Sequence, residues 1–232
     1  MPTLDTATFR LHTESVPVKG KGLTIWAVLT ADQRNSRRSD DQVPGALTAL
    51  TAAVGNRFVL DFERTVGDEI QALTQDPAAV VDAVLTLTRQ PQWHIGIGLG
   101  GVEEPLPRST REARGPAYLA ARRAVEEARN APANLRLVGA ESVGAAPYGE
   151  EVPQRAEAAL VMLRALVSRR TPEGWEIMDV LDETGSGKLA ARRLGISPSA
   201  VSQRAARSFR AEALLGAELA RSLLADAMVT GR

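Results

Sequence analysis

The 232 residues carry 28 Lys plus Arg against 28 Asp plus Glu, and 44% are apolar: enough for a real core, with no net charge to point at a partner. The absence of cysteine excludes a disulfide framework and a thiolate metal site, and His12 and His94 lie too far apart to make a ligand pair. No apolar run approaches the ~18 residues of a membrane-spanning helix, and residues 1–20 lack the apolar stretch of a secretory signal, so a cytoplasmic protein is expected.

Residues 1–22 read as a loosely held arm. Leu23–Leu29 (LTIWAVL) is the first strand, followed by polar TADQRNSRRSDD with Asp32 just past the strand end. Residues 43–55 suit a helix, with Pro44 in its first turn and Gly55 at its end. Arg57–Glu63 alternates as a strand with Phe58, Leu60 and Phe62 on one face. Val66-Gly67-Asp68 breaks it and Glu69–Leu73 returns, a β-hairpin with an acidic tip. Asp76 and Pro77 start a helix running through Arg89. Trp93–Leu99 (WHIGIGL) is a strand whose glycines let another backbone approach closely. After a polar loop carrying Arg108, Arg111 and Arg114, Pro116–Arg129 is an amphipathic helix and Leu135–Val138 a short strand.

The order β-α-β-β-α-β-α-β predicts an α+β fold, a ferredoxin-like sheet with helices on one face, over residues 23–140. A Gly-, Pro- and Glu-rich linker covers 141–152. Residues 153–232 read as an all-α domain, ending in a helix of about Ser208–Met228 with Leu215, Leu219 and Leu223 or Leu224 along it.

Within that helical part, Leu189–Arg207 (LAARRLGISPSAVSQRAAR) reads as a helix-turn-helix. Ala191 is the small residue where the helices meet, Gly195 serves the turn, and Ile196 and Val201 face inward. Ser197-Pro198 supplies N-cap and first-turn chemistry for the second helix. Between Gly185 and Ala211 stand Lys188, Arg192, Arg193, Arg204, Arg207 and Arg210, and no acid. Double-stranded DNA is the partner this pattern suits. Ser199, Ser202 and Gln203 are candidates for base edges, and Arg204 for bases or phosphates. Lys188, Arg192, Arg193, Arg207 and Arg210 are candidates for phosphates, with Ser197 beside them. A homodimer is the expected route to two half-sites, and the last helix either forms its seam or packs onto the helix-turn-helix. LGISPSAVSQR resembles the motifs of bacterial regulators and sigma-factor-like domains.

Three segments of the α/β part, in order, resemble one superfamily. WAVLTADQRNSRR is a strand followed by Asp. RTVGDEIQA resembles the metal-bearing hairpin of class III nucleotide cyclases and the GGDEF hairpin of diguanylate cyclases. WHIGIGLGG followed by GPAYLAAR resembles their Gly-alternating strand and the helix after it. The best overall match is the SatD-like family, whose members look like degenerate cyclase-palm domains joined to a helix-turn-helix. The resemblance implies Asp32 and Asp68 as carboxylates for Mg²⁺ with a nucleotide, Glu69 as a third, and Arg122 as the transition-state arginine. Tyr118 replaces the cyclase asparagine, Arg64 the base-reading lysine, and Val66 the first glycine of a GGDEF tip, so no catalytic residue is assigned. The primary expectation is a DNA-binding transcriptional regulator whose palm dimerises or senses a small-molecule ligand. The alternative is a metal-dependent nucleotide-binding or cyclase-like enzyme with an accessory helix-turn-helix; a third reading is an adaptor whose helix-turn-helix contacts protein.

Overall fold

The computed structural model describes residues 24–90, 93–140 and 151–229. The predicted arm and His12 lie outside these, as does most of the predicted linker. Five strands form one mixed sheet: β1 (Trp26–Gln33), β2 (Leu60–Arg64), β3 (Glu69–Thr74), β4 (Trp93–Gly100) and β5 (Leu135–Gly139), in the order β2-β3-β1-β4-β5. β1 runs antiparallel to β3 and β4, β2 antiparallel to β3, and β4 parallel to β5. Eight α-helices occur among the described residues: α1 (Val43–Val54), α2 (Pro77–Thr88), α3 (Pro116–Ala128), α4 (Glu151–Val167), α5 (Pro172–Thr184), α6 (Gly187–Leu194), α7 (Pro198–Arg207) and α8 (Arg210–Met228). None is long and apolar enough to cross a membrane.

Asp32 is not past the end of β1; it lies inside the strand, opposite His94 on β4 and Glu69 on β3. A central strand paired on both sides satisfies its backbone whatever the side chains, so polar Thr-Ala-Asp-Gln continues it. The last of these, Gln33, is buried and staples the following loop. Its Nε2 donates to Ser39 Oγ at 3.0 Å and the Asp40 carbonyl at 2.7 Å, and its Oε1 accepts from the Gln42 amide at 2.9 Å.

Helices cover both faces of the sheet, not one. Ala27, Leu29 and Ala31 of β1 join Leu50 of α1 and Val80 and Val84 of α2 in the main core. Trp26 and Val28, pointing the other way, pack with Ala117 and Ala121 of α3. The glycines of β4 are the reason α3 can lie there. A Cβ at Gly96 would fall 2.2 Å from the Val125 nitrogen, and one at Gly98 2.2 Å from the Ala121 nitrogen. Only a bare backbone admits a helix that close.

The single-face reading of Phe58, Leu60 and Phe62 also changes. Phe58 and Phe62 join the main core, their ring centroids 4.7 Å apart, while Leu60 faces α3. The register of β2 against β3 shifts between Leu60 and Glu63, and such an irregularity turns the strand over.

The helical part shares the core of the sheet. Ala156, Leu160 and Leu163 of α4 and Ala217, Ala220 and Leu224 of α8 belong to the same buried cluster as β1, β4 and β5. Buried Arg164 of α4 donates to the Trp93 and Asn134 carbonyls, each at 2.7 Å. Burial pulls its pKa down from the ordinary arginine value to about 10. Glu157, also on α4, accepts the Leu137 amide at 2.7 Å and so occupies a donor of β5.

Candidate functional site

The segment α5–α7 is a small unit with its own core. Ile177, Val180, Ala190, Ala191 and Val201 are buried together, and Leu181, Leu194 and Ile196 close around them. Gly195 ends α6 at φ 64°, the left-handed conformation, and its N–H returns to the Ala191 carbonyl. Ser197 caps α7 by accepting the Ala200 amide at 3.1 Å, with Pro198 in the first turn. Turn, cap and inward residues therefore stand as their spacing predicts.

The outward face of α7 carries Ser199, Ser202, Gln203 and Arg207, all exposed. Their spacing sets them along one side of the helix. The serine hydroxyls are held locally: Ser199 Oγ lies 2.9 Å from Ser197 Oγ, and Ser202 Oγ donates to the Pro198 carbonyl at 3.1 Å.

The six basic side chains divide into two sets. α5 carries Glu173, Glu176, Asp179, Asp182 and Glu183 and no base. From it Glu183 pairs with Arg193 at 2.5 Å, Asp182 with Arg210 at 2.7 Å and Glu176 with Arg204 at 3.7 Å. Lys188, Arg192 and Arg207 are exposed and have no ion-pair partner among the described residues. Sequence order hides this division, because the neutralising acids precede the motif.

The same helix fastens the unit to the sheet domain. Arg89, just past α2, holds Asp179 through two bonds of 2.7 Å. The Arg89 and Arg170 guanidiniums lie 4.8 and 4.9 Å from the Trp175 ring centroid, and Arg170 Nε donates to the Ser208 carbonyl at 2.8 Å. Arg221 of α8 reaches Asp82 of α2 at 2.9 Å.

The residues matched to a cyclase palm are divided between two cavities beside α3. Asp32 and Asp68 line a cleft of about 490 Å³ with Arg34, Arg38, His94 and Arg129. Thr30, Glu69, Gln71, Tyr118, Leu119 and Arg122 line another of about 620 Å³. Glu69 is occupied by the Thr65 hydroxyl at 2.5 Å, and Arg122 by Glu126 at 3.1 Å. Tyr118 belongs to a network: its hydroxyl lies 3.1 Å from Thr110 Oγ1, which donates to Gln71, whose amide donates to Thr30 at 2.9 Å. Arg64 is tied to Asp41 at 2.5 Å, and Val66 is exposed at the hairpin turn. Of the loop arginines, Arg111 bonds the Arg64 carbonyl and lies 3.9 Å from Glu63.

The first cleft does not suit a divalent ion. Asp32 Oδ2 is 3.0 Å from the Arg129 guanidinium at the end of α3, and no group of three or more His, Asp or Glu is gathered for a metal among the described residues. Mg²⁺ asks for several oxygen ligands in near-octahedral array, and a guanidinium excludes it by charge. His94 is held below its ordinary pKa by burial and by the charge of Arg34, with Asp32 opposing; its Nδ1 is buried without a hydrogen-bond partner. Arg129, Arg34, Arg38 and His94 were not visible as site residues in the sequence. The basic run RNSRR was a signal for two of them; nothing local pairs Arg129 with a strand 97 residues earlier.

Against known proteins, no family model, no curated sequence and no solved structure matches this chain.

Proposed function

We propose that the protein binds double-stranded DNA sequence-specifically, as a bacterial transcriptional regulator does, with α6 and α7 acting as a helix-turn-helix and α7 as its recognition helix. The observation that carries this reading is the outward face of α7. Ser199, Ser202, Gln203 and Arg207 stand exposed on it and Lys188 and Arg192 are exposed on α6, the three cations with no ion-pair partner among the described residues. Gln offers paired donor and acceptor groups to an adenine edge, and the cations offer charge to phosphates.

The sheet domain supports a ferredoxin-like, palm-like reading through its strand order. β2-β3-β1-β4, each neighbour antiparallel, is the split β-α-β arrangement, to which α3 and β5 are added. Its role in this reading is to set dimer geometry or to sense a ligand. α8 buries Ala213, Ala217, Ala220 and Leu224 against the core and leaves Leu215 and Leu219 exposed, an apolar stripe that suits a two-fold seam. A homodimer would offer two α7 helices to half-sites about 34 Å apart, one turn of DNA. The regulator is preferred to an enzyme because the matched residues are split, Asp32 and Asp68 lining one cavity and Glu69 and Arg122 another.

Selection of bound duplexes from a randomised pool by the full-length chain tests the proposal. An enriched two-fold motif is expected, with Gln203→Ala altering the selected bases and Arg207→Ala weakening every sequence alike. No retained duplex at low salt overturns it.

A further inference from the structure

We infer that the cleft holding Asp32 and Asp68 is a metal-independent site for the phosphate group of a small molecule, in which Arg129 takes the position a divalent ion would hold. The inference does not depend on DNA binding by α7. It starts from the charges. Among the described residues, Arg34, Arg38 and Arg129 line the cleft with Asp32 and Asp68. Asp32 is largely buried and bridged to Arg129 at 3.0 Å, which leaves it little negative charge to offer a cation.

The loop carrying Arg34 and Arg38 is held in position. Gln33 binds its far end at Ser39, Asp40 and the Gln42 amide, and Ser39 Oγ donates back to the Asn35 carbonyl at 3.1 Å. Two arginines on a stapled loop and a third at the end of α3, lining one cleft, suit the forked hydrogen bonding of a phosphate. A volume of about 490 Å³ exceeds what phosphate alone needs and falls in the range of small-molecule sites. A mononucleotide fits that description, and free phosphate shares its recognising chemistry.

Thermal unfolding of the full-length protein in EDTA, with inorganic phosphate or with 5′-mononucleotides added, tests the site. Stabilisation is expected without metal, and at lower concentration for a mononucleotide if the remaining volume is used; equal potency assigns the site to free phosphate. Arg38→Gln, an exposed loop residue, should weaken the apparent affinity about tenfold. Arg129→Gln should abolish phosphate stabilisation. Stabilisation that requires Mg²⁺, no stabilisation by any phosphate at millimolar concentration, or an Arg38→Gln protein indistinguishable from the original overturns the inference. Loss of DNA binding alone would leave it standing. If Arg129→Gln fails to fold, the EDTA and Arg38→Gln measurements still decide it.

Discussion

Single residues in this chain are decided by what faces them. Arg193 and Arg192 are sequence neighbours, yet one meets Glu183 and the other meets solvent. A cation already paired has less to gain from a phosphate, because a carboxylate must first be released. Arg192→Ala and Arg207→Ala are each therefore expected to lower the slope of log affinity against log salt by about 0.9 on duplex DNA, and Arg193→Ala to lower it by less. Anisotropy titrations across a salt series read all three. Gly98 shows the steric version of the same point. Its missing side chain leaves room for the Ala117 carbonyl and the Ala121 nitrogen, each 2.2 Å from where a Cβ would stand. Gly98→Ala is expected to cost about 3 kcal/mol or more, at or beyond the upper end of ordinary overpacking, because backbone on both sides must move. Urea unfolding measures it.

At the scale of elements, α4 ties the helical part to the sheet. Its Glu157 bonds Arg136 at 2.7 Å as well as the β5 backbone, and Arg136 continues to Glu127 of α3 at 2.9 Å. Hydrogen bonds from Arg123 and Arg136 hold the Glu127 carboxyl below the ordinary glutamate value of 4.5, against the opposing effect of burial. A carboxyl depressed in the folded state contributes stability that is fully present above the unfolded value and is lost as pH falls through the folded one. Stability should hold above about pH 4.5 and decline below it, and Glu127→Gln should flatten that decline. Denaturant midpoints at a series of acid pH values show whether it does. The pair is partly exposed, so the effect is small and fades in high salt.

For the molecule as a whole, the shared core matters most. Leu160 of α4 and Leu224 of α8 are buried in the same cluster as Leu29 of β1 and Ile97 of β4. Elements that bury one another cannot unfold independently without exposing that surface. Calorimetry should show one transition with equal calorimetric and van't Hoff enthalpies; two separated transitions would mean that the helical part and the sheet melt separately. The α5–α7 unit is joined to this body by Trp175, packed against the main core, and by polar contacts, Arg89 with Asp179 among them. Arg89→Ala is a way to loosen the unit while leaving its own core of Ile177 and Val201 intact.

The sequence by itself determined the features that are local. Asp76 and Pro77 start α2, Gly195 and Ser197-Pro198 shape the turn before α7, and apolar periodicity locates strands and helices. These depend on residues a few positions apart, so their chemistry can be read along the chain. It also flagged the glycines of β4 as a close approach, without saying that α3 makes it from the opposite face. Tertiary structure decided the rest, because its partners are distant in sequence. A register shift after Leu60 sent Phe62 to the opposite face from Leu60. Pairing across β1 kept Asp32 inside a strand, and the end of α3 brought Arg129 to it. The acids of α5 chose which cations of the α6–α7 unit stay unpaired among the described residues. Charge neutralisation acts through space over a few ångströms, so only the folded chain could show that the Asp32 and Asp68 cleft faces arginine instead of assembling a metal's ligands.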